Sequence, residues 1–126
     1  MKILLIEDHV PVAEVLRDAL RDDGHEVSVA HTGEEGLREL PRQCPNAVFL
    51  DLRLPGMDGV AVLRAIRARD PQLPVIVVSG YVTSDEIEQL ERLGVHGVIQ
   101  KSEILTRYTE ALDRLSGDRW DEDHGR

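Results

Sequence analysis

The stretch from residue 47 to residue 59 constrains the fold of this chain more than any other. Four apolar residues at 47–50 lead directly into Asp51, and a loop that contains Pro55, Gly56 and Gly59 follows. An uninterrupted apolar run is typical of a strand buried on both faces, as in a parallel sheet covered by helices. Asp51 is therefore predicted at the carboxyl end of such a strand, where it either caps a turn or belongs to a binding site.

The remainder of the chain alternates short apolar runs with segments whose apolar residues recur at helical spacing. Capping residues such as Thr32 and Thr83 precede two of the helical segments. Strict alternation of strands and helices implies right-handed crossovers, so the predicted fold is α/β, a doubly wound, five-stranded parallel sheet with helices on both faces. The predicted strands lie at residues 2–6, 26–30, 47–50, 75–78 and 95–100.

Polar residues follow four of these five strands. Glu7 and Asp8 follow the first strand, Asp51 the third, Ser79 the fourth and Lys101 the fifth. Because the carboxyl ends of parallel strands share one edge of the sheet, these side chains are expected to converge there. Carboxylates at such distances repel each other by about 4 kcal/mol per pair at ~4 Å and an effective dielectric constant of ~20. Either some of them are protonated or a cation lies among them.

The ligand types favour Mg²⁺ as that cation. The converging residues offer oxygen atoms and no histidine or thiol, which suits Mg²⁺ better than Ca²⁺ or Mn²⁺, and Mg²⁺ commonly also binds phosphate oxygens. Lys101 can supply positive charge and Ser79 a hydroxyl donor to such a phosphate. Asp51 then remains as a nucleophile or phosphoryl acceptor.

Length and charge narrow the function classes. The 126 residues fit one domain, and 15 basic against 24 acidic residues give a net charge of −9. This balance argues against direct nucleic-acid binding and favours basic partners or a bound cation. The single cysteine, Cys44, cannot form an internal disulfide, and residues 1–6 are too short for a signal peptide or membrane span. We therefore expect a cytoplasmic protein that does not bind membranes.

The helical periodicity ends after residue 116. The last ten residues are rich in acidic side chains and show no apolar pattern. The predicted organisation is one domain at 1–116 and a flexible acidic C-terminal tail at 117–126.

In combination, these motifs resemble the receiver domain of the two-component response-regulator family, over essentially all of residues 1–116. The resemblance implies a flavodoxin-like fold of the receiver type. In that family the acid pair holds Mg²⁺, the aspartate after the third strand accepts a phosphoryl group from a phosphohistidine, and the hydroxyl and lysine bind its oxygens. The motifs that carry the resemblance are Glu7-Asp8, the run from Asp51 to Gly59, Val-Val-Ser79-Gly, and Lys101 after Gly94-Val-His-Gly97.

The resemblance also implies roles for individual residues. Asp51 is then the phosphorylation site, Ser79 and Lys101 contact the phosphoryl oxygens, and all three form the reactive set. The implied metal ligands are Asp8 directly, Glu7 through water, Asp51, and the backbone carbonyl of Arg53. Such a chain catalyses only its own aspartyl phosphorylation and dephosphorylation and is otherwise not an enzyme.

The implied partners are proteins. The phosphoryl donor is a sensor histidine kinase or a histidine phosphotransfer protein of a two-component system or phosphorelay. A downstream protein is expected on the fourth helix, fifth strand and fifth helix, and a homodimer is possible.

Three positions depart from the family pattern. Val98 stands where the family usually has a Phe or Tyr that turns inward with the hydroxyl, and Tyr81 either replaces that aromatic residue or shields the phosphoryl group from water. Ser102 follows Lys101 where the family prefers proline, so a trans peptide bond is expected there. Glu7 in place of aspartate remains compatible with metal binding.

The sequence also bears on three other functions. A phosphohydrolase of the haloacid-dehalogenase type needs a second aspartate two residues after the first, where this chain has Arg53. A dinucleotide-binding domain needs a glycine-rich turn after the first strand, where this chain has Glu7 and Asp8. The serious alternative is a receiver-fold module that binds proteins without phosphorylation, which Val98 and Ser102 favour and the intact set of polar residues opposes.

Overall fold

A computed structural model of the chain describes residues 1–123, with side chains for residues 1–115. Five strands form a single parallel sheet in the order β2-β1-β3-β4-β5. The strands are β1 (Lys2–Ile6), β2 (Glu26–Ala30), β3 (Ala47–Asp51), β4 (Val75–Ser79) and β5 (Gly97–Gln100), and the helices are α1 (Val10–Asp22), α2 (Gly33–Gln43), α3 (Gly59–Arg69), α4 (Ser84–Arg92) and α5 (Ile104–Asp123). The predicted fold class is confirmed.

The sheet separates two apolar cores, as the alternation of side chains along a strand requires. In β1, Ile3 and Leu5 pack into the core that contains buried residues of α1 and α5. Leu4 and Ile6 point the other way, into the core shared with α2, α3 and α4. Both faces of the sheet are thus covered, which explains why the central strands read as continuous apolar runs.

The register of the central strands places the predicted site at one edge. Asp51, the last residue of β3, pairs with Val78 of β4, and Ser79 at the end of β4 pairs with Gln100 of β5. Because all strands run in the same direction, their last residues face the same crevice. Glu7, which follows β1, donates its backbone N–H to the carbonyl of Ala30 at the end of β2.

Among the described side chains, helix α4 contributes the fewest buried residues of the five helices. Leu90 is its one buried residue. Its start is fixed by a capping box in which Thr83 accepts from the Glu86 backbone N–H and the Glu86 carboxylate accepts from the Thr83 backbone N–H, as the sequence predicted. A helix with so little buried apolar area depends on polar contacts to hold its position.

The C-terminal part of the chain differs from the prediction. A 3₁₀ turn at Lys101–Glu103 precedes α5, which begins at Ile104. Helix α5 continues to Asp123, and regular structure therefore does not end at residue 116. A helix can continue into polar sequence without an apolar stripe, so the end of the periodicity at residue 116 does not mark the end of α5. Residues 124–126 lie outside the described residues, and the flexibility of 117–126 stays a prediction.

Within residues 1–123, every helix is either too short or too polar to cross a lipid bilayer.

Candidate functional site

Three polar side chains are buried at the carboxyl edge of the sheet. Glu7, Asp51 and Ser79 are 3 %, 2 % and 1 % exposed, and among residues 1–115 these are the only buried positions with a charged or aliphatic hydroxyl side chain. Burial of such groups costs free energy unless they are paired, so a fold rarely retains them without a role. The sequence predicted all three as members of one site.

Lys101 lies between the two buried carboxylates. Its Nζ atom donates to Glu7 Oε2 at 3.0 Å and to Asp51 Oδ2 at 2.9 Å. The short turn after β5 brings the ammonium to this position, whereas its partners follow β1 and end β3. The structure therefore brings Glu7, Asp51 and Lys101 into direct contact.

One ammonium does not neutralise the carboxylates around it. Burial raises the pKa of Glu7 to about 7. The hydrogen bond from the His9 backbone N–H lowers this pKa, but by less than burial raises it. The nearby Asp51 also raises it. Glu7 is thus partly protonated near neutral pH. Burial lowers the pKa of Lys101, but its bonds to Asp51 and Glu7 outweigh burial, so that pKa lies above its ordinary value. Repulsion among the acids is relieved by a proton on Glu7.

The carboxylates are arranged so that a cation could replace that proton. One carboxylate oxygen from each of Glu7, Asp8 and Asp51 lies within 4.8 Å of the others, and Asp8 is exposed to solvent. The three acids supply oxygen ligands, and their combined negative charge exceeds the single positive charge of Lys101. Such a set of ligands suits a hard divalent ion such as Mg²⁺. The exposed side at Asp8 leaves room for the water ligands that Mg²⁺ usually keeps.

The loop after β3 holds Asp51 from the other side. Asp51 Oδ1 accepts the backbone N–H of Arg53 at 2.9 Å. Gly59, the first residue of α3, donates its backbone N–H to the Leu52 carbonyl at 2.9 Å. A Cβ atom at Gly59 would collide with Leu52 Cα and lie 2.7 Å from the Asp51 carbonyl oxygen. The close approach of the α3 start to the loop therefore requires glycine.

Ser79 lies at the same edge, but its hydroxyl binds the backbone of Tyr81 and not Asp51. Ser79 Oγ donates to the Tyr81 carbonyl at 2.7 Å and accepts the Tyr81 backbone N–H at 3.3 Å. A hydroxyl has a single proton, so Ser79 cannot donate to another oxygen while it binds the Tyr81 carbonyl. Ser79 thus lies at the edge where Asp51 lies, and no hydrogen bond joins the two side chains.

The side-chain contacts of Arg53, which the resemblance implied only as a carbonyl ligand, and a contact of His31 were not predicted from the sequence. The Arg53 guanidinium donates to both Glu86 carboxylate oxygens, at 2.6 and 2.8 Å, and to the Tyr81 carbonyl at 2.8 Å. His31 donates from Nδ1 to the Glu7 carbonyl at 3.0 Å and so ties the loop after β2 to the site. The Arg53–Glu86 pair joins positions 33 residues apart, and no local pattern announces it.

The departures from the family pattern have clear positions. Val98 is 46 % exposed and Tyr81 is 69 % exposed, and both line a groove of about 240 Å³ with Ser79 and Ile87. The peptide bond between Lys101 and Ser102 is trans, as expected, since no cis bond occurs in the described residues. The space that an aromatic residue at position 98 would occupy is thus open to solvent.

Comparison with known proteins gives the family. The model of the response regulator receiver domain matches residues 3–113. The chain is 35% identical over 115 residues to the uncharacterized transcriptional regulatory protein YkoG of Bacillus subtilis (strain 168), which covers 87% of this chain and 50% of that protein. It is 29% identical over 93 residues to sporulation initiation phosphotransferase F of the same organism, which covers 74% of this chain and 75% of that protein.

A solved structure shares the fold. The response regulator receiver domain protein (CheY-like) of Methanospirillum hungatei JF-1 superposes with a TM-score of 0.81 at 25% identity, covering 93% of this chain and 97% of the other. The chain spans about half the length of YkoG, so the activity of the longer protein is not assigned to this chain. With its edge of buried acids, its lysine and its matching family model, this chain belongs to the response regulator receiver domains, the phosphoacceptor switches of two-component systems.

Proposed function

We propose that Asp51 is the phosphoacceptor of this switch and that Mg²⁺ is bound by Glu7, Asp8 and Asp51 during phosphoryl transfer. The observation that carries the proposal is the burial of Glu7 and Asp51 around Lys101, at the edge where all strands end. Two buried carboxylates that share one cation are costly for a fold and suit a site that receives a divalent ion and an anionic group in turn. Glu7 is proposed to bind the ion through water, and the Arg53 carbonyl is proposed to complete the set of ligands from the chain.

The residues of the site divide the work of transfer among themselves. An Asp51 carboxylate oxygen attacks phosphorus in line with the phosphohistidine nitrogen, the P–O bond forms, and the P–N bond breaks as imidazole leaves. The Lys101 ammonium, already 2.9 Å from Asp51 Oδ2, stays close enough to bind a phosphoryl oxygen. Bound Mg²⁺ would supply positive charge to the transferring oxygens. Hydrolysis of the resulting acyl phosphate returns Asp51 to its starting state.

Ser79 is proposed to respond to the phosphorylation of Asp51. A phosphoryl group on Asp51 adds strong acceptor oxygens next to the end of β4, and a hydroxyl can turn toward them. For this, the hydrogen bond from the Ser79 hydroxyl to the Tyr81 carbonyl must break, and Tyr81 lies in the loop just before α4. The change in charge at Asp51 thereby reaches the start of the least buried helix.

The phosphoryl donor is proposed to be a sensor histidine kinase or a histidine phosphotransfer protein in the cytoplasm. An apolar groove of about 300 Å³ lies next to Lys101, between α1 and the start of α5. Val15 and Leu105, which line it, are each about half exposed. Exposed apolar side chains beside the reacting aspartate suit a protein donor better than a small molecule.

The output surface is proposed to be α4, β5 and α5. Tyr81, Ile87 and Val98 are exposed apolar side chains around the groove between α4 and β5. Ile87 lies on the helix that Ser79 would influence, so a downstream protein bound here would sense the state of Asp51.

A second candidate function is a module that binds proteins regardless of phosphorylation. The observation that favours it is Val98, because no aromatic side chain at that position can turn inward and report on Ser79. The intact contacts among Glu7, Asp51 and Lys101 oppose it, since a module without phosphoryl transfer has no need of buried acids.

The decisive experiment uses beryllofluoride, which mimics an aspartyl phosphate, and follows the amide NMR spectrum. With Mg²⁺ present, we expect shifts at residues around Asp51, Ser79 and the start of α4, and none in the Asp51→Asn variant. Asn keeps the size of the side chain but lacks the charged oxygen that binds beryllium. An unchanged spectrum of the native protein would favour the constitutive module.

A further inference from the structure

Helix α4 is held at its two ends by different means. At its C-terminal end Leu90 is buried, and the Arg67 guanidinium donates to the Leu93 carbonyl at 2.6 Å and to the Gly94 carbonyl at 3.0 Å. The first turn has no buried apolar side chain, since its one large apolar residue, Ile87, is 43 % exposed. Apart from Val82, which precedes the helix and packs partly buried against the core, polar contacts hold the N-terminal end of α4.

The Arg53 side chain makes the contacts that join this end of α4 to the loop after β3. Both Glu86 oxygens accept from Arg53, which is the paired geometry in which an arginine binds a carboxylate most strongly. The same guanidinium binds the Tyr81 carbonyl, so it joins the loop after β3 to both the loop after β4 and the helix start. The Arg53 contact lowers the pKa of Glu86 to about 2, and the hydrogen bonds of the capping box support this shift.

The Tyr81 carbonyl connects Arg53 with Ser79. This oxygen accepts both the Ser79 hydroxyl, at 2.7 Å, and the Arg53 guanidinium, at 2.8 Å. While Arg53 holds Glu86 and this carbonyl together, the backbone between Ser79 and α4 is fixed in the position where the Ser79 hydroxyl binds the Tyr81 carbonyl. Movement of Ser79 with its backbone toward a phosphoryl group must therefore strain or break the Arg53 contacts.

We propose that the Arg53–Glu86 pair is a resting-state latch, which opposes the rearrangement of Ser79 and α4 and opens when Asp51 is phosphorylated. Arg53 acts through Tyr81 and Glu86, so its side chain is a positioning group for the switch. Because the pair exists only in the resting state, it lowers the equilibrium constant for activation. Removal of the pair therefore raises that constant by the same factor. The latch rests on the proposed function of Asp51.

The test compares beryllofluoride affinity, in saturating Mg²⁺, between the native protein and Glu86→Gln. Glutamine keeps an oxygen acceptor for the Thr83 N–H and so preserves the cap, but it lacks the charge that binds Arg53. Since partly exposed ion pairs contribute modestly, we expect roughly twofold to fivefold tighter binding in Glu86→Gln, with unchanged affinity for Mg²⁺ alone. Without ligand, the amide signals of residues 81–90 should lie between the free and bound positions of the native protein.

The matched control is Arg64→Met, which removes the hydrogen bond from Arg64 to Gln89 at 2.8 Å, one turn further along α4. This contact also joins α3 and α4 but does not touch Tyr81 or Ser79. A merely structural role would lower the melting midpoint of both variants and change the affinity of neither. Equal or weaker beryllofluoride binding by Glu86→Gln overturns the latch, whereas failure of the native protein to bind beryllofluoride overturns the proposed function of Asp51.

Discussion

The Lys101 ammonium lies 3.0 Å from the Glu7 carboxylate, although the two residues are 94 positions apart in the chain. The same ammonium lies 2.9 Å from Asp51, so a single cation serves two buried acids. A third acid, Asp8, completes a group whose negative charge exceeds its positive charge. The metal-free site is therefore sensitive to protons and to added cations.

The first prediction concerns pH and the stability of the protein without metal. Glu7 has a pKa of about 7 in the fold against 4.5 for the ordinary group, so the folded state binds more protons between these values. Its contribution is fully present below pH 4.5 and is lost as the pH rises through about 7. We expect the free energy of unfolding in chelator to be higher at pH 5.5 than at pH 8, by about 2 kcal/mol.

Urea unfolding of the native protein and of Glu7→Gln isolates this contribution. Glutamine does not titrate, so the difference in stability between the two proteins should change with pH over that window. Burial lowers the pKa of His25, whose effect on stability has the opposite sign but is common to both proteins. An identical pH profile for Glu7→Gln would contradict the assigned titration.

The second prediction separates the two roles of Lys101. Its ammonium competes electrostatically with a bound metal but assists the phosphoryl group, so Lys101→Met should change the two properties in opposite directions. We expect Mg²⁺ to bind about tenfold more tightly, and phosphorylation by acetyl phosphate to slow by about 100-fold.

Calorimetry measures the affinity for Mg²⁺, and a time course with acetyl phosphate gives the rate of phosphorylation. The control is Lys2→Met, since Lys2 is the only other lysine and lies exposed at the start of β1, away from the site. A parallel loss of Mg²⁺ binding and phosphorylation in Lys101→Met would show that the lysine holds the site together instead.

The convergence of the site residues could be predicted because it follows from topology alone. Once the strands were recognised as parallel, Glu7, Asp51, Ser79 and Lys101 had to emerge at one edge. The start of α4 was equally accessible, because a capping box involves residues only three positions apart. Such features depend on local spacing or on the direction of the chain, both of which the sequence displays.

The side-chain contacts within the site could not be predicted in the same way. Arg53 reaches Glu86 across two loops, and the choice of this partner depends on how far α4 lies from α3. The rotation of the Ser79 hydroxyl toward Tyr81 is likewise decided by competing acceptors in three dimensions. The continuation of α5 to Asp123 was not predicted, because a helix of polar residues has no amphipathic pattern.

The last prediction tests the close contact that positions Asp51. In Gly59→Ala the new methyl group would meet the Leu52 backbone and the Asp51 carbonyl, which lies 2.7 Å from the Cβ position. Backbone cannot move aside as a flexible side chain can, so the loop after β3 must shift, at a cost of about 1–3 kcal/mol. Because this loop carries the N–H that binds Asp51 Oδ1, we expect both a lower melting midpoint and weaker beryllofluoride binding. Gly97→Ala is the matched control, since a Cβ atom there meets no atom within 4 Å. If Gly59→Ala lost stability but bound beryllofluoride with native affinity, the contact would support the fold without positioning Asp51.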